Sequence, residues 1–405
     1  RNIPVPLNED LAEELYGKDL HLSVSQLESF YTDPYSHFLI YGLGLRERQR
    51  QELTPLESGN FYHEALDLIT YEIIQSDRDM ADFDEKDLNK MTKKIFADLL
   101  SSNKYRLAQS SYRMNFIFKQ LSKTVRNIVW SMIKQSKRSS FRPQKTELVF
   151  GQLAGNKGIE GLSFDLKKNR KLQLRGKIDR IDSFKKDDQL FTGVVDYKSS
   201  DTTFNFQNIY HGLMLQMITY LDTVLTYSEN IFGEDALGIG AFYSTVTDHL
   251  LDIQKLGQKD YNQEKLKQYK HKGIIIYRDE VLEAADTLLK AKEISPIYPV
   301  RLLKSGNYTK TGTLSEEEFE WLIRFNREKI VEAGNKIISG KNTLRPYDKR
   351  QAKIYTPSVD GPYRAISQFD ALLKENNYQE IKKMNQKEFF NDLKKRYDKG
   401  QENRE

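Results

Sequence analysis

Between Leu172 and Ser200 the chain reads LQLRGKIDRIDSF, KKDDQ and LFTGVVDYKSS, and this stretch holds the residues best suited to chemistry: Asp179, Asp196 and Lys198. In the first run Leu172, Leu174, Gly176 and Ile178 share one face of a strand, so Gln173, Arg175, Lys177 and Asp179 fall on the other. Asp179 is therefore expected at the strand's polar edge. In the second run Val194 and Val195 give a buried β segment. Asp196 and Lys198, two residues apart, point the same way with about 7 Å between their Cα atoms, while Tyr197 faces the opposite side. Lys185 to Gln189 is polar and short enough for a hairpin connection, which would bring both carboxylates and the ammonium to one site. Two carboxylates beside a backbone carbonyl offer the hard oxygen ligands that Mg²⁺ takes. A neighbouring ammonium can orient or deprotonate a metal-held water while the ion polarises a phosphoryl oxygen. That set suits phosphodiester hydrolysis; a strand-end Asp beside an exposed Asp-Tyr-Lys edge is the structural alternative.

At 405 residues the chain exceeds one ordinary domain, so two modules, or one core with large insertions, are expected. The net charge of +5 is a mild basic excess compatible with nucleic acid, and any steering must be local. The chain contains no cysteine, which removes disulfides, thiolate zinc sites and iron–sulfur clusters. No apolar run approaches the roughly 18 residues of a membrane span, and no signal-peptide pattern is present. A cytoplasmic protein with no membrane contact is expected. Because the chain opens with Arg1, it reads as a piece of something longer.

The elements that must position these residues follow in order. Residues 1–20 read as a tether. Ser25 followed by Glu28 reads as a capping box opening a helix, and Pro34 starts a short second one with Tyr35, Phe38, Leu39 and Tyr41 as an aromatic face. The stretch 54–75 carries Ala65, Leu66, Ile69 and Ile73 at helical spacing; His63 near its start is either a structural residue or a third metal ligand. Residues 77–145 read as a helical insertion ending in KQSKRSSFRPQK, which is either a phosphate-tracking segment or a solvated linker. Thr146–Phe150 reads as a strand whose Glu147 either approaches the metal or simply edges the sheet. A helix spanning Phe206–Tyr227 places Gln216 and Tyr220 on one face, either as an internally bonded pair or facing the scissile phosphate. Gly238–Ser244 reads as a strand, Ser315 and Glu318 cap a helix running to about Ile338, and residues 375–405 form a charged helix that fades into a disordered end. The implied division is 1–76, 77–145, a core at 146–250, and a helical region at 251–405 that packs back on the N-terminal segment.

Taken as a set, His63 on a helix, Glu147 on a strand, GKIDRID, VVDYKSS and a helix carrying LQMITY resemble the RecB-like nucleases of the PD-(D/E)xK superfamily. Two flanks resemble the AddB type in particular: LSVSQLESFYTDPYSHFLIYGLGLRER near the start and SVDGPYRAISQFD near the end. In that type they supply the thiolates of an iron–sulfur cluster. Here the matching positions are Asp33, Ser358, Gly361 and Ser367, the pattern expected of the cluster-free RexB type. The resemblance implies a restriction-endonuclease-like α/β fold, a mixed sheet flanked by helices with a helical insertion and a helical C-terminal extension. It implies Asp179, Asp196, the Tyr197 carbonyl and His63 as metal ligands, Lys198 positioning the water, and Gln216 and Tyr220 supporting the catalytic face. Glu147 stays unassigned. It further implies Mg²⁺, with Mn²⁺ able to substitute, and a heterodimer with an AddA- or RexA-type helicase-nuclease subunit. This subunit would cut the 5′-ended strand of unwound DNA during double-strand-break repair.

Without the cluster, closing the loop from residue 33 to residue 358 costs roughly 5 kcal/mol plus a constant. About 200 Å² of apolar burial offsets that, and packing of Tyr35, Phe38, Tyr363 and Phe369 is the expected replacement. Besides an active nuclease, two readings stay open: a silent DNA-binding or assembly module on the same fold, and a stand-alone RecB-like exonuclease.

Overall fold

The computed structural model describes residues 5–47, 55–105, 111–152, 158–246, 261–310, 312–352 and 354–402. Among them, eight strands build one mixed sheet: β1 (Leu20–Ser23), β2 (Arg142–Phe150), β3 (Ser163–Leu166), β4 (Arg170–Lys186), β5 (Gln189–Lys198), β6 (Ala236–Thr245), β7 (Lys272–Ile276) and β8 (Thr313–Leu314). Their order is β1-β4-β5-β6-β7-β8, with β2 and β3 also paired to β4. The long strand β4 is the hub. It runs parallel to β1 and antiparallel to β2, β3 and β5.

The expected hairpin is present. β4 and β5 pair from Lys186 with Gln189 back to Arg180 with Val195. The connection is only Asp187-Asp188, both left-handed at φ 50° and 61°, the two-residue turn whose twist matches that of the strands; aspartate tolerates it better than most residues. Asp179 is not at a polar edge. From Ile178 to Phe184 the strand is buried on both faces, because helices and loops cover both sides of the sheet.

Seven helices supply most of that cover: α1 (Val24–Thr32), α2 (Pro55–Gln75), α3 (Glu85–Ser101), α4 (Tyr112–Ser136), α5 (Gln216–Thr226), α6 (Glu316–Ile338) and α7 (Gln386–Glu402). One core joins Leu172, Leu174, Ile178 and Val194 of the sheet to Leu27 and Phe30 of α1, Leu221 of α5, Phe325 of α6 and Phe389 of α7. A second joins Phe61 and Ile69 of α2 to Val125 and Ile128 of α4, and reaches Tyr197. A third packs Val195, Phe242 and Ile275 against Val281 and Leu282. Each such buried aliphatic or aromatic side chain contributes about 1.5–3 kcal/mol.

Several expectations need correction. Residues 1–20 are not all tether. Residues Glu9–Tyr16 are helical, and β1 joins the sheet because Leu20 and Leu22 bury against its core. The capping box opening α1 is Ser23 with Gln26, not Ser25 with Glu28. The basic stretch at 134–145 is neither linker nor free cationic segment. It ends α4 and begins β2 at Arg142, with Arg138 paired to Asp286 and Arg142 to Asp79. The helix expected over 206–227 is broken: a one-turn helix, Phe206–Tyr210, ends before Gly212, and α5 restarts at Gln216. Gly212 has φ +76°, and a Cβ there would lie 2.4 Å from the Tyr31 ring. The 251–405 region supplies β7 and β8 as well as helices; the boundary at 250/251 lies outside the described residues, as do 1–4 and 403–405. The Ser315–Glu318 box does open α6. Among the described residues, no helix is long and apolar enough to cross a membrane.

The two flanking segments meet, through polar contacts rather than the ring packing expected. Asp33 is fully buried. Its Oδ2 accepts from the Ser36 amide (3.0 Å), the Ser36 hydroxyl (2.9 Å) and the Ser358 hydroxyl (2.6 Å), and its Oδ1 from the Arg345 amide (3.2 Å). The Ser358 amide donates to the Ser36 hydroxyl at 3.1 Å, and the Ser367 hydroxyl donates to the Ser358 carbonyl. Gly361 stays outside this network, since the Tyr355 hydroxyl fills the place a side chain would take. Tyr35 pairs with Phe38 and Phe369 with Tyr378, each within its own segment, while Tyr363 crosses by donating to the Leu45 carbonyl. Burial pushes the Asp33 carboxyl up, and the bonds from Ser358, Ser36 and Arg345 oppose it.

Asp33→Ala removes the shared acceptor and leaves buried donors unpaired. A loss of roughly 2–4 kcal/mol in denaturant unfolding, with faster exchange of the 30–42 amides, is expected. Unchanged stability and exchange would show that the staple lies elsewhere.

Candidate active site

The β4–β5 ladder ends at Arg180–Val195, and Asp179 and Asp196 are the next residue of each strand, on the face that also carries Lys198. Both carboxylates are buried, at 8% and 3% exposure. The Tyr197 amide donates to Asp179 Oδ2 at 2.9 Å, so the backbone of one strand aims the carboxylate of the other. On the opposite face the Tyr197 hydroxyl accepts from Arg180 Nη1 at 3.0 Å. Arg180 is itself held by Asp182 through Nη2–Oδ2 at 2.9 Å and Nε–Oδ1 at 2.8 Å. The one hydrogen bond, with the ion contact beside it, holds the strand beneath the site.

Helix α2 delivers His63 to that strand. Its Nδ1 lies 3.1 Å from Asp179 Oδ2, and its ring stands edge-on to Tyr197 with centroids 6.0 Å apart. From β2, Glu147 lies opposite Asp179, between the Thr146–Arg180 and Leu148–Ile178 pairs. Its φ of 50° is uncommon for a non-glycine residue, and such backbone strain tends to persist where it serves a site. Ligand atoms of His63, Glu147 and Asp179 all lie within 4.8 Å of one another. Glu147 also pairs with Lys177, a partner that the sequence pattern left on a polar strand face without a role.

Asp196 belongs to an adjoining network. Lys198 Nζ lies 2.8 Å from Asp196 Oδ2 and donates to Gln216 Oε1 at 3.2 Å. Gln216 Nε2 donates to Asp196 Oδ1 at 3.2 Å and to the Tyr220 hydroxyl at 3.0 Å. Gln216 and Tyr220 thus share one helix face, and that face looks onto Asp196. Three carboxylates, Glu147, Asp179 and Asp196, are each met by one cationic or ionisable partner: Lys177, His63 and Lys198.

The electrostatics register the crowding. Burial, then the Asp179 charge, pushes the Asp196 carboxyl up to about 6, against the pull of Lys198. Burial alone would lower the His63 imidazole, but the hydrogen bond and charge of Asp179, with Asp196 behind it, raise it overall. A proton between His63 and Asp179 therefore stands where a cation would serve as well. Carboxylate oxygens with one imidazole nitrogen are the donor set of a hard or borderline divalent ion, so these residues fit such a group.

Sequence reasoning missed Glu28. Its Oε1 accepts from the Leu215 amide at 2.7 Å and the Gln216 amide at 3.0 Å. The visible signal was a carboxylate set among Val24, Leu27, Phe30 and Tyr31 on the packed side of an amphipathic helix, where a solvated glutamate is out of place. It also missed Arg180 and Asp182, whose burial depends on the cover over both faces of the sheet.

A sequence profile of the PD-(D/E)XK nuclease superfamily matches residues 21–349. A relative from Enterococcus faecalis, named as a subunit of an ATP-dependent helicase/deoxyribonuclease, is 37% identical over 395 residues, covering 96% of this chain and 33% of the relative. Relatives of the same name from Latilactobacillus sakei and Listeria innocua are 36% identical over 400 residues and 32% over 378. These alignments cover 96% and 93% of this chain but 33% and 32% of the relatives. The chain spans about a third of the length of the curated relatives it matches.

A divalent ion at this site would have to displace the His63 proton and would need Asp196 ionised, so Mn²⁺ affinity should rise with pH from below about 6, where Asp196 is protonated, through the raised His63 range. Titration calorimetry in buffers of different ionisation heat should show proton release on binding that shrinks as pH rises and is reduced in His63→Ala. Affinity flat from pH 5.5 to 8 would contradict this arrangement.

Proposed function

The chain belongs to the PD-(D/E)XK nuclease superfamily, and on that premise we propose that it hydrolyses DNA phosphodiester bonds, with Mg²⁺ as its ion in the cell. The observation that carries this reading is the unbroken contact path Asp179–Tyr197 amide, Asp196–Lys198 and Gln216–Tyr220, all on one register-locked hairpin and the helix facing it. His63, Asp179, Asp196 and the Tyr197 carbonyl would hold the ion. When bound, the ion supplies charge neutralisation at the phosphate and a more acidic water.

The chain's own residues do the rest. Lys198, held between Asp196 and Gln216, directs its ammonium at the space where a water must line up with the scissile phosphorus. Gln216 keeps that ammonium from swinging into solvent. The Tyr220 hydroxyl accepts from Gln216 and keeps its own proton to donate to a phosphoryl oxygen. Burial of Asp196 and Tyr220 removes competing water and strengthens each charge interaction.

The names of the relatives extend the proposal. This chain would be the nuclease part of a longer helicase/deoxyribonuclease subunit that acts with an AddA- or RexA-type helicase partner and cuts the 5′-ended strand as the duplex is unwound. In the reassembled complex, with a 5′-labelled duplex, Mg²⁺ and ATP, Asp196→Ala and Lys198→Ala should each slow cutting of that strand by roughly 10³-fold or more. Lys198→Ala should still bind Mn²⁺. If both strands are cut as before, the chain is a scaffold on a nuclease fold and the partner performs the chemistry.

A further inference from the structure

The clearest site-bearing feature left unused is a carboxylate aimed at backbone rather than at the phosphate. Helix α5 begins at Gln216, and its N-cap, Leu215, has no side chain able to accept a hydrogen bond. The first amides of a helix have no partner within it. Here Glu28, from α1, reaches across and takes two of them on one oxygen, Leu215 N–H at 2.7 Å and Gln216 N–H at 3.0 Å. An acceptor with negative charge at this end of a helix is favoured both by the hydrogen bonds and by the helix dipole.

Gln216 is the branch point of the catalytic face, touching Lys198, Asp196 and Tyr220 at once. It is also the first residue of its helix, where fraying begins. From Met217 to Val224 the helix is buried, so the loss of one cap would free Gln216 without unseating the remainder. Helix α1 secures the preceding loop at a second point. The Tyr31 ring lies against Gly212, where no Cβ fits, and the Tyr31 hydroxyl donates to the Lys329 carbonyl at 2.7 Å. The Asp33 staple anchors α1 one residue beyond its end.

We propose that Glu28 is a positioning residue for the nuclease reaction: by capping α5 from α1 it holds Gln216, and through it the Lys198 ammonium, in line with the attacking water. This rests on the function proposed above. Burial raises the Glu28 carboxyl to about 7, against the bonds from Leu215 and Gln216, so the cap works through its carbonyl-like oxygen whether or not the other oxygen carries a proton. A glutamine should therefore replace it.

The test compares Glu28→Gln with Glu28→Met in the reassembled complex. The two side chains have similar length and volume, and only the first keeps the acceptor. Glu28→Gln should keep kcat for the 5′-ended strand within about twofold of wild type. Glu28→Met should lower kcat about tenfold with KM for DNA within about twofold, the pattern of a lost transition-state contact. The Glu28→Met/Gln216→Ala double variant should be no slower than Gln216→Ala alone. In the same chain, exchange of the Leu215 and Gln216 amides should be faster in Glu28→Met than in Glu28→Gln, with the 219–224 amides unchanged. Equal rates in both single variants, or losses that multiply in the double variant, overturn the proposal. If wild type does not cut DNA at all, the proposed function has failed, and the exchange of these two amides still decides whether Glu28 holds the helix start.

Discussion

Everything at this site depends on the pairing register of β4 with β5. Asp179 and Asp196 share a face because Arg180 pairs with Val195. A slip of one residue would turn Asp196 and Lys198 onto the face that Tyr197 occupies and bring Tyr197 to the side that carries Asp179. The two-residue Asp187-Asp188 turn fixes the hairpin at one end, and the Arg180–Asp182 pair, bonded to the Tyr197 hydroxyl, fixes it beneath the site. The carboxylates so assembled repel one another. Burial first, and that repulsion second, raise the Asp196 carboxyl, and Lys177, His63 and Lys198 offset the repulsion.

Segments far apart in sequence hold the face opposite the hairpin. Ser358 meets Asp33 across 325 positions, a closure that costs about 5 kcal/mol plus a constant for a free loop. A buried carboxylate with four donors meets that cost together with the core formed by α1, α5, α6 and α7. The consequence reaches the chemistry. With α1 anchored, Glu28 and Tyr31 define where the 211–216 loop runs, and hence where Gln216 stands. Fold stability and the geometry of the site therefore share the same few contacts.

The hairpin and its carboxylates were legible in the sequence because strand periodicity and a short charged turn are local signals. The α6 start was legible for the same reason, through Ser315 and Glu318. Non-local features were not. The break at Gly212 follows from the Tyr31 ring, some 180 residues upstream; within its own window the 206–227 stretch reads as one helix. Glu28 has the spacing of a capping-box partner for Ser25, and only the position of α5 shows what its carboxylate binds. Glu147 could not be assigned from its strand, since its left-handed backbone and its place opposite Asp179 arise from pairing with β4. The positions of Asp33, Ser358 and Ser367 were found by family resemblance. That they bond directly depends on side-chain geometry, which no spacing encodes.

The most direct test of the account is the location of Mn²⁺ by anomalous scattering in crystals of the wild-type protein. The account predicts one ion roughly 2.0–2.2 Å from carboxylate oxygens of both Asp179 and Asp196, with His63 and the Tyr197 carbonyl in its shell and Lys198 beside it. An ion held by His63, Glu147 and Asp179 but out of reach of Asp196 would contradict it, as would the absence of any peak at the hairpin.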